Sequence, residues 1–301
     1  MSSILSHHHQ SLLLHHHHPS LYTPTRFYCS TAAAPHKPPR NPNPTILKVV
    51  PLHVSAPLNQ NRPTLTDPSL QSTWSHRAWL ASGCTSLLFS LVKCLGHAAQ
   101  SHSFPEPILA AVLGYVLADL GSGIYHWGID NYGDSTTPLF GSQIEAFQGH
   151  HRWPWTITRR QFANNLHALA RIIAFTVTPV SLACDDPTVL GFVFMFSGCI
   201  MFSQQFHAWA HMTKSRLPSL VLWLQDAGIL VSRGEHSDHH RQPYNNNYCI
   251  VSGAWNGVLD KNKVFEAMEM VLYFKLGVRP RSWTEPNSDW TEETGISTVL
   301  D

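Results

Sequence analysis

The stretch VLGFVFMFSGCIMFSQQFHAWAH, Val189 to His211, is apolar for most of its length and ends in a pair of histidines. Its segment Val189–Trp209 approaches the roughly 20 residues that a helix needs to cross a bilayer. His207 and His211 stand four positions apart, one turn from each other on a single helical face, and Gln204 extends that stripe inward. A span that delivers paired imidazoles to a membrane surface predicts both the fold and the kind of chemistry.

Three other stretches have comparable length: Ala78–Ala99, Pro107–Tyr125 and Leu166–Ala183. Arg171, near the start of the last of these, can snorkel to the interface. Leu217–Val231 is shorter and contains Gln225 and Asp226, so it is expected to lie along the interface or to pack on the bundle. The predicted fold class is all-α integral membrane, with about four transmembrane helices and a His-lined metal site on one membrane face.

Following the chain shows why one face. A second span ending at Tyr125 puts the loop 127–165 on that side. The third span leaves it, Cys184-Asp185-Asp186-Pro187 turns on the far side, and the fourth span returns. His126, His150-His151, His207/His211 and His236/His239/His240 therefore share one surface. Arg152, Arg159, Arg160, Lys214, Arg216, Arg233 and Arg241 fall there too, opposite Glu106, Asp185 and Asp186. The positive-inside rule makes the histidine face cytosolic, or stromal in a plastid.

A net charge of +1 over 301 residues points to no nucleic-acid partner. No Asp or Glu precedes Asp67, whereas Ser, Thr and Pro are frequent, the composition of an organelle transit peptide. Sparse Arg and helix-breaking Pro favour a plastid over a mitochondrion. The expected division is a plastid transit peptide and disordered linker over 1–70, a membrane domain over 71–282 and a polar tail over 283–301. The six cysteines are scattered without a CxxC pair and read as unpaired thiols.

His236, His239 and His240 share a helical face, whereas adjacent His150 and His151 diverge and suit two different ions. Asp119 and Asp130 lie on the His126 face. Asp119 sits inside a span, where a carboxylate costs roughly 2.5–3.5 kcal/mol, so it is expected to orient His126 or another ligand from behind. Asp130 and Asp226 are assigned the same supporting place. His167 lies outside the paired spacings and is not counted.

With no HExxH motif, a zinc hydrolase is not indicated. Eight imidazoles divide into two sites of about four with open positions, the setting in which non-haem iron activates dioxygen. Two iron ions are the expected cofactors, with dioxygen as co-substrate. Beside a lipid-facing bundle the substrate is an acyl or alkyl chain. Removing hydrogen from two neighbouring carbons gives an alkene and supplies two of the four electrons that dioxygen takes. The other two must come from a separate donor protein, because the chain has no CxxCH and no cysteine cluster. A lipid hydroxylase with the same centre and a non-catalytic metal carrier are the competing readings.

Ala118-Asp119-Leu120-Gly121-Ser122-Gly123-Ile124-Tyr125-His126-Trp127, Gln148-Gly149-His150-His151 with Ile157-Thr158-Arg159, His207-Ala208-Trp209-Ala210-His211, Leu224-Gln225-Asp226, His236-Ser237-Asp238-His239-His240, Tyr248-Cys249-Ile250 and Gly253-Ala254-Trp255-Asn256 occur in this order. The pattern resembles the Kua-type lipid desaturase family, and Gln148–Asn165 resembles its plant plastid branch. The resemblance implies histidine boxes at His150/His151, His207/His211 and His236/His239/His240, with His126 as the matching single histidine. It also implies a thylakoid or envelope enzyme with a ferredoxin-type donor, placing a trans double bond near the carboxyl end of palmitate in phosphatidylglycerol. The animal branch has a further histidine where this chain reads Arg160-Gln161, so that position is not counted.

Overall fold

The computed structural model describes Thr64 and residues 67–138, 140–241 and 244–284. Most of the predicted transit peptide and linker, and the tail beyond Thr284, lie outside the described residues. Within them the chain is helical without strands. Four long helices form the body: α1 Trp74–Ser101, α2 Pro105–Asn131, α5 Phe162–Ala183 and α6 Pro187–His211. Between and after them come α3 Gly141–Arg152, α4 Trp155–Arg159, α7 Ser219–Asp226, α8 Arg233–His239, α9 Asn256–Lys261, α10 Val264–Leu276 and α11 Arg281–Thr284. The four long helices are long and apolar enough to cross a membrane.

Each outruns the apolar stretch that predicts it, because capping rather than hydrophobicity sets a helix end. Thr73 and His76 close a capping box before α1. Asp186 accepts from the Thr188 N–H, and Pro187 takes the first helical position of α6. α2 continues past Tyr125 to Asn131, carrying His126 and Asp130 with it.

α1 packs on α5 and α2 on α6. Little hydrophobic drive joins helices in lipid, so small residues that let backbones approach closely become the seams. A side chain at Gly114 would meet the Phe192 carbonyl at 2.8 Å, and one at Gly83 would meet that of Ala170 at the same distance. Ser86 and Thr178 hydroxyls bond at 2.7 Å across the α1–α5 seam. Leu87, Ala170, Ile173, Val177 and Met201 fill the centre. Leu88, Val92, Leu109, Val112, Phe175 and Leu182 face outward, as a lipid-embedded surface requires. At the end away from the histidines, Lys93 pairs with Asp185 at 2.6 Å and donates to the Ser181 carbonyl.

The short helices cover the other end. Leu217, Val221 and Leu230, around α7, pack on Phe206, Trp209 and Met212 at the end of α6, while Leu220 and Trp223 stay exposed. Leu70, in the turn Pro68–Leu70, is buried, and its carbonyl accepts from the Gln161 N–H at the start of α5.

Candidate metal centre

All eight predicted histidines come together, and they do so as two groups. His150 at the end of α3, His207 and His211 in the last turn of α6, His236 on α8 and His240 just after it bring their donor nitrogens within 4.8 Å of one another. His126 and Asp130 on α2, His151 on α3 and His239 on α8 do the same. The adjacent pair His150-His151 divides between the groups. So does α8: His236 and His240, one turn apart, face the first, and His239 faces the second. A capping box between Ser232 and Glu235 fixes where α8 starts, and the Arg233 guanidinium donates to the His211 carbonyl at 3.0 Å. The groups are neighbours, with ring centres 4.6 Å apart for His150 and His151 and 4.5 Å for His151 and His240.

The donor arrangement fits bound cations. In the first group the Nε2 atoms of His211 and His236 are 2.8 Å apart, those of His207 and His211 3.3 Å, and those of His236 and His240 3.2 Å. Nitrogens each about 2.1 Å from one ion lie roughly 3 Å apart, so the spacing suits a shared ion. In the second group the Nε2 atoms of His126, His151 and His239 approach Asp130 Oδ2 at 3.1, 3.0 and 3.3 Å. His126 Nε2 and His239 Nε2 are nevertheless buried without an aligned hydrogen bond, as is His150 Nε2. Buried polar atoms seldom go unsatisfied, and nitrogens aimed at a common point are satisfied by a metal. Behind the rings, Nδ1 of His126 meets the Tyr248 carbonyl at 2.9 Å and Nδ1 of His239 that of Asn246 at 2.7 Å. His150 Nδ1 meets the Phe147 carbonyl. A carbonyl accepts from Nδ1–H and leaves Nε2 free to ligate.

Outside the spans, burial holds His150, His236 and His240 well below the ordinary imidazole range and brings His239 down to about 4. Neighbouring imidazoles push the same way. These four are therefore neutral at pH 7, with lone pairs available. An unfolded chain takes up protons on them near pH 6.5, before the folded one does. Stability of the metal-free protein is thus expected to hold above about pH 6.5 and to fall from there toward pH 4. Melting in detergent from pH 7.5 to 4.5 checks this, and a flat profile would contradict it.

The three carboxylates take three different places. Asp130 stands among the converging donors rather than behind them. Asp119 touches no histidine: its Oδ1 accepts backbone N–H groups of Val251, Ser252 and Gly253, and its Oδ2 accepts that of Trp255. The buried carboxylate is thereby satisfied by a loop, the loop that carries the Tyr248 carbonyl to His126. Asp226 is exposed, 3.9 Å from Lys214 and away from both groups, because α7 turns that side outward. His167 stacks on His76 at 3.9 Å and bonds the Asn164 carbonyl, away from the centre.

Sequence reasoning includes Tyr248, Ser122 and Gly123 only within resembling segments and gives none of them a part in the site. Ser122 Oγ accepts from the Ile250 N–H, and Gly123 lies so close to Cys249 that a methyl group there would overlap Cys249 Sγ and sit 3.3 Å from its amide nitrogen. Gly123→Ala is expected to push the Tyr248–Cys249 segment off α2, at an overpacking cost of about 1–3 kcal/mol, and to loosen metal at the His126 group. Metal content of the purified variant is the check; wild-type content would refute it. The clue in the sequence was the run Asp119-Leu120-Gly121-Ser122-Gly123, small and polar inside a span.

A lipid desaturase domain matches residues 115–283, the interval that holds every donor described above. The chain belongs to the lipid desaturase family. This desaturase is 70% identical to fatty acid desaturase 4, chloroplastic, of Arabidopsis thaliana over 225 residues, covering 75% of this chain and 70% of that one. It is 58% identical to fatty acid desaturase 4-like 2, chloroplastic, of the same plant, over 83% of this chain and 93% of that one. Plasmanylethanolamine desaturase 1 of Mus musculus is 31% identical, over 66% of this chain and 77% of that one. No solved structure matches the desaturase. It is an oxygen-dependent enzyme of the plant fatty acid desaturase 4 branch, acting on membrane lipid. Its plant relatives are chloroplastic and its four long helices are long and apolar enough to cross a bilayer, which supports a chloroplast membrane as its setting.

Proposed function

We propose that the enzyme is a di-iron desaturase that introduces a trans double bond near the carboxyl end of palmitate in chloroplast phosphatidylglycerol. The observation that carries this reading is the division of eight imidazoles and one carboxylate into two adjacent, buried donor groups at one end of the lipid-facing bundle. In it His150, His207, His211, His236 and His240 hold one iron, and His126, Asp130, His151 and His239 the other. Nitrogen-rich ligation of this kind suits iron that reacts with dioxygen, and a bound iron pair supplies the oxidant for removing two hydrogens from adjacent carbons. The protein's own part is to hold the imidazoles neutral and fixed, to shield the centre from bulk water and to seat the chain beside it. The two remaining electrons come from a ferredoxin-type donor on the stromal side, where the basic loops lie. Residues 1–70 act as transit peptide and linker, 71–282 as the catalytic domain and 283–301 as a polar tail.

Expressing the chain in a host with a plastid-type ferredoxin, with lipid profiling and iron analysis of the purified protein, tests the reading. Expected are a new alkene in phosphatidylglycerol and two irons per chain that survive dialysis, in line with paired four-ligand and five-ligand groups. His207→Ala is expected to abolish product while leaving membrane insertion intact. Labile zinc in place of iron, or undiminished activity of that variant, would overturn the assignment.

A further inference from the structure

Two adjoining spaces lie beside the five-histidine group on the side of α3 and α4, the inner one small, about 20 Å³. That inner space is lined by His150 and His207 together with Phe147, Ile157, Gln204 and Arg160. An outer hollow of about 310 Å³ shares Ala146, Thr156 and Arg160 with it. Arg160 therefore stands at the junction of the two spaces. Among the described residues its guanidinium has no hydrogen bond and no ion pair within 4 Å. Burial lowers its pKa, and Asp67 offsets that only in part. A guanidinium carries five donors, so a partly buried one without acceptors is matched to something the chain does not supply. Deeper in, Gln204 is buried, and its Nε2 has no partner. Its backbone is held from behind, where Asn165 Nδ2 donates to the Gln204 carbonyl at 3.0 Å.

Two donors without acceptors thus line a pair of adjoining, partly apolar spaces, the inner of which is also lined by two histidines of the candidate iron site. We propose that Arg160 and Gln204 recognise the polar end of a phosphate-bearing glycerolipid, Arg160 its phosphate and Gln204 the carbonyl oxygen of the acyl ester. The inference rests on the desaturase reading and adds to it how the reacting carbons are chosen. An arginine fork matches phosphate oxygens, and a primary amide donates to a carbonyl. With the ester carbonyl held beside His150 and His207, the first methylenes of the chain lie nearest the metal group and the distal chain does not. Position along the chain is then measured from the carboxyl end. Asp67 and Glu145, which also line the outer hollow, suit headgroup hydroxyls and disfavour a second anion.

The test uses the full-length, metal-loaded protein in detergent and compares retention of dipalmitoyl phosphatidylglycerol with that of uncharged dipalmitoylglycerol by native mass spectrometry. Double-bond position in the product is mapped in parallel. Arg160→Gln is expected to lower phosphatidylglycerol retention about tenfold or more, to leave dipalmitoylglycerol unchanged and to keep wild-type metal content; Arg160→Lys is expected to recover part of it. Gln204→Leu is expected to retain phosphatidylglycerol and metal but to spread the double bond over several positions or lower turnover about tenfold. Wild-type lipid preference in Arg160→Gln, or one unchanged product at an unchanged rate in Gln204→Leu, overturns the proposal. If the wild type makes no alkene at all, the desaturase reading fails by itself, while the retention ratio still decides whether Arg160 reads phosphate.

Discussion

Asp130→Asn is expected to abolish alkene formation and to leave about half of the wild-type metal, because only the His126 group loses its anionic donor. Asp130 Oδ2 lies 3.0–3.3 Å from three imidazole nitrogens and has no cation among the described residues within salt-bridge distance other than those rings. A cation held by three neutral nitrogens and one carboxylate keeps its charge partly balanced; the amide keeps the shape and loses the balance. Loss of partners that merely support a ligand typically costs 10–100-fold in metal affinity or activity, so loss of a donor at this point is expected to exceed about 100-fold. His236→Ala is the companion variant. It is expected to deplete the other group and to spare the His126 group. Iron analysis with a spectroscopic probe that separates the two environments reads both. Full metal and activity in Asp130→Asn would show that this carboxylate is not a donor.

The second large effect concerns Asp119, which has no place in the donor groups. Asp119→Ala strands four backbone N–H groups, those of Val251, Ser252, Gly253 and Trp255, of which Val251, Ser252 and Gly253 belong to buried residues. An unsatisfied buried donor costs about 1–3 kcal/mol, so the total is on the order of 4 kcal/mol or more. The segment is expected to leave α2 and take the Tyr248 carbonyl from His126. Faster hydrogen exchange over 244–255, lower metal content and a lower melting temperature are the expected signs. Asp119→Asn, which keeps one acceptor oxygen for three of the four groups, should fall between. Exchange over 244–255 equal to that of the wild type would refute the assignment.

The sequence showed the four spans and the eight histidines clearly, because apolar length and i, i+4 spacing are local properties. The split of His150 from His151 was also readable from adjacency alone. The carboxylates were not. Asp119, Asp130 and Asp226 have similar credentials as residues near a histidine segment, yet one faces the histidines, one caps a distant loop and one faces solvent. What separates them is which partner lies opposite, and for Asp119 that partner is more than 130 residues further along the chain. The part played by Tyr248 is hidden for the same reason: it acts through its carbonyl, which every residue possesses. Arg160 reads in the sequence only as one of several basic residues on the histidine face, and only its position between two cavities gives it a chemical part.

The donors come from α2, α3, α6 and α8, whereas the seams of the bundle, Gly83 on Ala170 and Gly114 on Phe192, lie away from them. The hydrophobic scaffold therefore does not depend on the cations for its own cohesion. Insertion and association of the four long helices can therefore precede the filling of the histidine groups. Protein stripped of bound metal is then expected to stay inserted and to regain activity on metal loading without new synthesis.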